Sequence, residues 1–394
     1  PTLILLLHLH LPLLLLLLPL QSAEAFAAAK TKSRPKKAQS ASGGGGGGFG
    51  APTQAPPSYT PDTSATTQSL LQFLKHQKAR GLEQVEIGHD HDNGVRGLFA
   101  AQNFQQGQLL CQIPSDCALA LSDPNLPVDD APTLSHGGAN FWNMYWNNPQ
   151  ARTLWAPYLD TLPTADSPQF DPTPDFFSPE QLQLLEFPRI IQQAQQRQQD
   201  ILTVAAEQGL GPTELQFATW LTTSRVFAIA IATPEKEPDG NESKDNNDDD
   251  DHAKDEKQQQ QPPTMTKTQT NTIRVMVPFI DMANHNSDQP NAKLTLIDPE
   301  KDEAWFALEA TRPIKKGKEI VISYGSGVAS TVELLLNYGF VPHRNKMDEF
   351  MLQKGGDDVI ATLDGWTTTL QQDQARLAEE TDATMRKILN FRIR

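Results

Sequence analysis

The stretch DMANHNSDQPN, Asp281–Asn291, decides how the rest of the chain is read. Asp281 and His285 stand four residues apart. A helix would put both on one face, and a carboxylate beside an imidazole is sound metal chemistry. A metal needs more ligands than two, and His89, Asp90, His91 and Asp92 sit in a distant turn-like run. No second motif carries ligand spacing, so no metal is expected. Taken alone, the stretch has a plainer reading: ANHN ends a strand, Asn284 caps, and Pro290 closes a turn.

Around this stretch, composition sets the bounds. The 394 residues have room for two modest domains beside tails and linkers. An apolar share of 38% is low for a wholly globular chain, which predicts substantial unstructured segments. The net charge of −15 is partly local: between Glu235 and Lys257 eleven acids face four lysines. No basic stripe with interleaved aromatics occurs, which argues against a nucleic-acid partner. Cys111 and Cys117 are the two cysteines, too few for a Cys-rich zinc module, and a disulfide between them stays open.

The N-terminus reads as an address. A leucine-rich run from Thr2 to Leu20 ends in QSAEAF, with Ala23 and Ala25 spaced as signal peptidase prefers. Pro12, Pro19 and two histidines make it a poor membrane span, so residues 1–25 are read as a signal peptide and no membrane is expected for the mature form. The segment AAAKTKSRPKK, just after Phe26, is basic and free of acids, as transit peptides are. A signal peptide, a cut before Phe and a transit segment resemble the two-part address of proteins imported into secondary red plastids. Plastid import is the expectation; secretion or the ER lumen is the alternative.

A glycine run (Gly43–Gly48) and a proline-rich stretch complete a linker through residue 65, with order expected from Thr66. Leu70, Leu71, Phe73 and Leu74 share a helical face in a helix ending at Gly81. Residues 84–114 read as short strands turning at Asn93-Gly94 and Gly107. A helical period follows from Asn140 to Leu210, and then ELQFATWLTTSRVFAIAIA reads as a helix running into a strand. The acidic block and its polyglutamine neighbour, about 234–270, lack the apolar side chains to offset ordering entropy and predict a disordered loop. Strand patterns resume at TIRVMVPFIDMANH and run to EIVISYG, before a short helix STVELLLNYGF. One more amphipathic helix is expected from Thr369 onward.

The segments GVRGLFA (Gly94–Ala100), SRVF (Ser224–Phe227), VPFIDMANHN with the PN that follows, ISYG (Ile322–Gly325) and ELLLNYGFVP (Glu333–Pro342) occur in that order. Together they resemble the SET-domain protein methyltransferases, and more narrowly the branch related to the plastid Rubisco large-subunit lysine methyltransferases. The resemblance spans about 66–343. It implies an α+β SET fold of small curved sheets with a pseudoknot, a helical insertion at about 118–215, and a helical substrate-binding domain opening within 344–394 and continuing beyond the sequence.

The same resemblance implies an S-adenosylmethionine (AdoMet)-dependent protein-lysine N-methyltransferase without a metal. A monomer is expected, acting on an exposed lysine of a protein such as Rubisco large subunit or plastid aldolase. It implies Tyr324 as the catalytic residue, its hydroxyl beside the transferring methyl, where C–H···O contacts and alignment would act. Asn284 and His285 would line the AdoMet pocket, with main chain from Val95, Arg96 and Gly97, where glycine permits close approach. Arg96 stands where many relatives carry an apolar residue. Arg225 would meet the cofactor's carboxylate tail; its plain reading is an exposed helix-end charge. Phe227 and Tyr338 would wall the lysine channel, with plain core packing as the alternative. Ser224 and Asp281 are candidates for the channel mouth, and Asp281 reads equally well as a turn cap. A histidine methyltransferase of the same fold is one rival, against which Phe227 speaks, because the actin-histidine branch has asparagine there. A non-catalytic SET-like binding module is the other.

Overall fold

Backbone pairing begins earlier than Thr66, and one aromatic side chain explains it. In this computed structural model, which describes residues 58–121, 133–167, 169–233, 269–299, 301, 303–325, 329–353 and 366–393, Tyr59 stacks on Phe99 with ring centroids 4.1 Å apart. That contact anchors strand β1 (Tyr59–Pro61) as an edge, where a proline is tolerated. The leader, the linker up to residue 57 and the acidic block at 234–268 lie outside the described residues. Helix α1 (Ala65–His76) is capped by the Ser64 hydroxyl, which accepts from Thr67 N, and it buries Leu70 and Leu74 one turn apart. It ends at His76, five residues short of Gly81, and the chain leaves it through the left-handed Lys78.

Strands β2 (Val85–Asp90) and β3 (Arg96–Ala100) pair antiparallel, burying Val85, Ile87, Leu98 and Ala100. β4 (Leu109–Pro114) and the two-residue β5 (Leu119–Ala120) follow. Cys111 and Cys117, whose pairing the sequence left open, are free thiols in the structure, and burial pushes both up to about 12.

The helical region contains α2 (Leu134–Phe141), α3 (Pro149–Leu154), α4 (Ala156–Leu159), α5 (Pro179–Leu184), α6 (Pro188–Gln208) and α7 (Pro212–Thr223). It therefore runs past the expected limit near residue 215. At the other end, β5 pairs with the strand at Val275–Met276 and belongs to the sheets. Ile190, Ala194, Ile201, Val204 and Ala205 form the buried stripe of α6, and Gly209 ends it in the left-handed conformation.

β6 (Val226–Thr233) and β7 (Gln269–Met276) pair antiparallel across the acidic block. Then come β8 (Asn284–His285), β9 (Ala292–Ile297), β10 (Trp305–Ala310) and β11 (Glu319–Ile322). Among the described residues the strands form three small sheets, ordered β1-β2-β3-β11-β8, β4-β10-β9 and β5-β7-β6. Together with the helices they make the α+β arrangement that the sequence implied.

The crossing beside β11 is held by one side chain. After β8, which runs parallel to β11, the chain turns on Asn286, whose Oδ1 accepts from the amides of Asp288 and Gln289. It then returns along β11, where Asn291 Oδ1 accepts from Val321 N at 2.9 Å and Asn291 Nδ2 donates to Glu319 O at 2.8 Å. Pro290 thus follows a turn already made by Asn286.

Beyond α8 (Thr331–Tyr338) and α9 (Lys346–Gln353), the segment expected as one helix is two: α10 (Leu370–Glu379) and α11 (Ala383–Ile393). Extended backbone at Glu380 breaks the first, and the Asp382 carboxylate, accepting from Met385 N, starts the second. Ile388 and Phe391 pack with Leu182, Leu185, Ile190, Leu335 and Leu336, so this hairpin shares a core with the helical region. Arg392 is buried against Asp373 (2.8 Å) and Glu186 (3.0 Å).

Replacing Asn291 with alanine leaves a buried N–H and C=O of β11 without partners, at a cost of roughly 2–3 kcal/mol. A urea titration of Asn291→Ala should show that loss against wild type; an unchanged midpoint would remove the clasp.

Candidate active site

The β2–β3 turn forms one wall. Asp90 Oδ1 accepts from the amides of Asp92 and Asn93, Gly94 takes a φ of +71°, and Asn93 Oδ1 accepts from Val95 N. Val95 leaves its side chain half exposed and gives its carbonyl to Asp90 N. The Arg96 side chain turns inward: it donates to Thr161 O (2.9 Å) and Thr67 Oγ1 (3.3 Å) and lies 3.5 Å from Asp62. An apolar residue there could not tie the turn to α1. The arginine thus acts locally as a brace, while its carbonyl accepts from Asn284 Nδ2 at 3.0 Å.

Asn284 donates a second time, to Glu319 Oε1 at 2.8 Å, so its side chain spans β3 and β11 rather than capping its own turn. Gly97 makes this possible, since a Cβ there would lie 2.7 Å from Asn284 Nδ2 and 2.8 Å from Glu319 Oε1. Burial pushes the Glu319 carboxyl up, and the Asn284 bond draws it down. The sequence reading passed over Glu319; its signal was a lone carboxylate opening an apolar strand.

A second wall comes from the end of α7. Arg225 Nη1 lies 3.5 Å from Asp281 Oδ2, which also accepts from the Tyr158 hydroxyl at 2.7 Å. The Asp281 carboxylate has no exposed surface, so it sits beneath Arg225 and guards no opening. Nor does it cap the turn in which it lies, Ile280–Met282. Burial raises its pKa, and Arg225 and Tyr158 oppose the rise. Arg225 is accordingly no exposed helix-end charge: its Nε is buried without a hydrogen-bond partner, as is Asp281 Oδ1. The Ser224 hydroxyl donates to Leu221 O (3.2 Å) and is spent on ending its helix.

The chain enters this region through Phe279, fully buried at φ +74° and ψ −51°, a strained conformation for a residue with a Cβ. Asp281 and His285 consequently share no helical face, because one lies in a short 3-10 turn and the other in β8. Among the described residues no group of three or more His, Cys, Asp or Glu is arranged to hold a metal.

His285 and Tyr324 position each other. Tyr324 N donates to His285 Nδ1 at 2.8 Å, which makes Nδ1 the acceptor, so Nε2 carries the proton and donates to Ser287 Oγ at 2.5 Å. Burial lowers the imidazole pKa to about 4, so the ring is neutral near pH 7. The Tyr324 hydroxyl donates to Ala283 O at 2.9 Å, one residue before Asn284, and burial holds its phenol well above the usual tyrosine range. Its ring lies 4.6 Å from Tyr338 and 5.1 Å from His285, and Phe340 lies 5.9 Å from His285.

The Tyr324 hydroxyl and the β2–β3 turn thus bond to adjoining residues, the first at Ala283 O and the second through Arg96 O to the Asn284 amide. Phe340 joins the aromatic group although the sequence reading named only Tyr338. Phe227 is half-buried on β6 against the main core, and among the described residues no ring pairing links it to the Tyr324–Tyr338 pair. A cavity of about 410 Å³ beside the C-terminal hairpin is lined by Thr331, His343, Asp348 and Asn390 among others, and by none of this group.

The profile of the SET domain family matches residues 95–325. Mouse SET domain-containing protein 4 is 25% identical over 288 residues, covering 70% of this chain; the chain spans 59% of that relative's length. The solved SET domain of LSMT bound to lysine and AdoHcy aligns over 84% of this chain and 89% of its own, at TM-score 0.55 and 13% identity. Rubisco LSMT bound to AdoMet aligns over 84% and 88%, at TM-score 0.53 and 13% identity. At such identities the likeness is one of fold.

Because the His285 pKa is about 4 in the fold against 6.5 in the open chain, the unfolded state binds the extra proton first. The neutral ring's contribution is full above pH 6.5 and is lost as pH falls from 6.5 towards 4. Wild type should lose more of its urea midpoint between pH 7.5 and 4.5 than His285→Asn, whose amide does not titrate. Parallel losses would contradict the assigned ring state.

Proposed function

The chain belongs to the SET domain family, and from that premise we propose that it is an AdoMet-dependent protein-lysine N-methyltransferase. The observation that carries the reading is the meeting of Tyr324, bonded to Ala283 O within an aromatic group, with Asn284 against Gly97. Two features fit AdoMet. The buried, unpartnered Nε of Arg225 offers a donor for a carboxylate. Aromatic faces at Tyr324, Tyr338 and Phe340 suit a cationic centre. The solved neighbours bound to lysine and to methyl-lysine support the choice of acceptor.

When bound, AdoMet supplies a sulfonium-borne methyl, which passes to the amine as the N–C bond forms and the C–S bond breaks. The chain's own part is positioning and desolvation. Tyr338 and Phe340 form an apolar wall for a lysine stem. An ammonium drawn into such surroundings loses hydration, its pKa falls, and its proton leaves to water, so no side-chain base is needed. Tyr324 stays protonated because burial raises its phenol, and its hydrogen points at Ala283 O. The oxygen's lone pairs are thereby left to face the reacting carbon, where C–H···O contacts steady it. Arg225, pinned by the Asp281–Tyr158 pair, is fixed before any anion arrives, so little reorganisation accompanies binding.

We extend the proposal to a plastid protein substrate, on the strength of the two-part leader in the sequence. Rubisco large subunit and plastid aldolase are the acceptors to try first.

Radiolabelled AdoMet with plastid stroma tests both parts. Wild type should label a discrete protein band on lysine. Tyr324→Phe should lower incorporation by about 10–100-fold through lost alignment, and Asn284→Ala should chiefly raise the AdoMet KM. Equal labelling by all three chains would overturn the reading.

A further inference from the structure

The last helix reaches the aromatic group by a short path. Lys387 on α11 presents an ammonium that is only 11% exposed; it pairs with Asp171 Oδ1 and donates to Pro172 O at 2.7 Å. Asp171 and Pro172 lie against the end of α8. There the chain turns at Gly339 with φ +81°, and a Cβ would collide with the Asp171 carbonyl and lie 3.1 Å from that of Pro172. That Asp171 carbonyl also accepts from Trp220 Nε1 at 3.0 Å, so it is held from two sides. Gly339 separates Tyr338 from Phe340, both members of the aromatic group around Tyr324. Arg197 on α6 completes the seat by donating to Leu336 O and to Asn337 Oδ1. The Gly325 backbone also hydrogen-bonds the Tyr338 phenol.

We propose that Lys387 is a positioning residue for the lysine-channel wall: by holding Asp171-Pro172 under Gly339, it sets the angle at which Tyr338 meets Tyr324. This rests on the methyltransferase reading for its consequence, though not for its geometry. It gives the C-terminal hairpin a task inside the site, in addition to any docking of substrate. A mobile Lys387 would free the Asp171 loop, the left-handed turn at Gly339 would relax, and the face offered to a lysine stem would widen. Cofactor groups at Asn284, Gly97 and Arg225 lie on other elements and should be unaffected.

The sequence has five tyrosines, Tyr59, Tyr145, Tyr158, Tyr324 and Tyr338, so a 3-fluorotyrosine-labelled chain reports on the wall by ¹⁹F NMR without any substrate. With the Tyr338 line assigned by Tyr338→Phe, Lys387→Met should move or broaden that line and leave those of Tyr59 and Tyr145 in place. Lys387→Arg, which keeps a donor and a charge, should restore it. A Tyr338 line unmoved in Lys387→Met overturns the proposal. If Lys387→Met collapses all five lines, Asp171→Asn gives the same reading with a milder change, and an unmoved Tyr338 line there overturns it.

By calorimetry, Lys387→Met should keep its AdoHcy affinity within about twofold and bind monomethyl-lysine, with AdoHcy present, about tenfold more weakly, the scale of a sub-ångström misplacement. Equal weakening of both ligands would mark general damage and count against a positioning role. Failure of the methyltransferase reading looks different: the wild-type chain itself would then bind no AdoHcy.

Discussion

Two residues paired in parallel carry the site. Asn284 lies opposite Val321 and His285 opposite Ile322, and nothing else in β8 is strand. Because alternate residues of a strand point to opposite faces, this short pairing sends the Asn284 amide to β3 and the His285 ring towards Tyr324. Slipping the register by one would exchange them and leave both without partners. Two residues make too few backbone bonds to resist that slip. The resistance comes from outside the strand: Asn291 clasps β11 from the returning loop, and Asn284 is shared between Arg96 O and Glu319. The polar contacts that hold the register are thus also the ones that shape the pocket wall, which couples stability and chemistry at this point.

The buried charges follow the same economy. Asp281 and Arg225 would each be costly alone in an interior, and they come together with Tyr158 donating to the carboxylate. The trio is incomplete as it stands, because Arg225 Nε and Asp281 Oδ1 lack partners. Incompletely satisfied polar groups are expected where a fold keeps capacity for a ligand. A strained Phe279 just upstream belongs to the same pattern: the fold spends stability to deliver Asp281, Asn284 and His285 within five residues.

The helical parts are less separate than an inserted module plus a following domain would suggest. α6 gives Arg197 to the end of α8, α7 ends at Arg225, and the C-terminal hairpin packs on α5, α6 and α8 through one apolar cluster. Arg392, buried between Asp373 and Glu186, fixes that hairpin's angle, since breaking such a pair leaves an uncompensated interior charge. Helices far apart in sequence therefore share one packed core against α8.

By itself the sequence determined the class of fold and pointed to a candidate site. The ordered motifs around Gly94, Ser224, Asp281, Ile322 and Glu333 are local signals, and each encodes a turn, a strand end or a cap that neighbouring residues suffice to specify. The tertiary structure alone decided what each polar side chain does. Asp281 went from channel mouth to buried counter-ion, Ser224 to a helix end, Arg96 to a brace against α1, and Glu319 and Phe340 joined the site unannounced. Likewise the last helix divided in two and folded back onto α8. Ser224 apart, whose partner Leu221 is close in sequence, those outcomes depend on partners 29 to more than 200 positions away, such as Arg96 with Thr67 and Lys387 with Asp171. No periodicity or spacing records a pairing at that separation, because it exists only once the intervening chain has been packed.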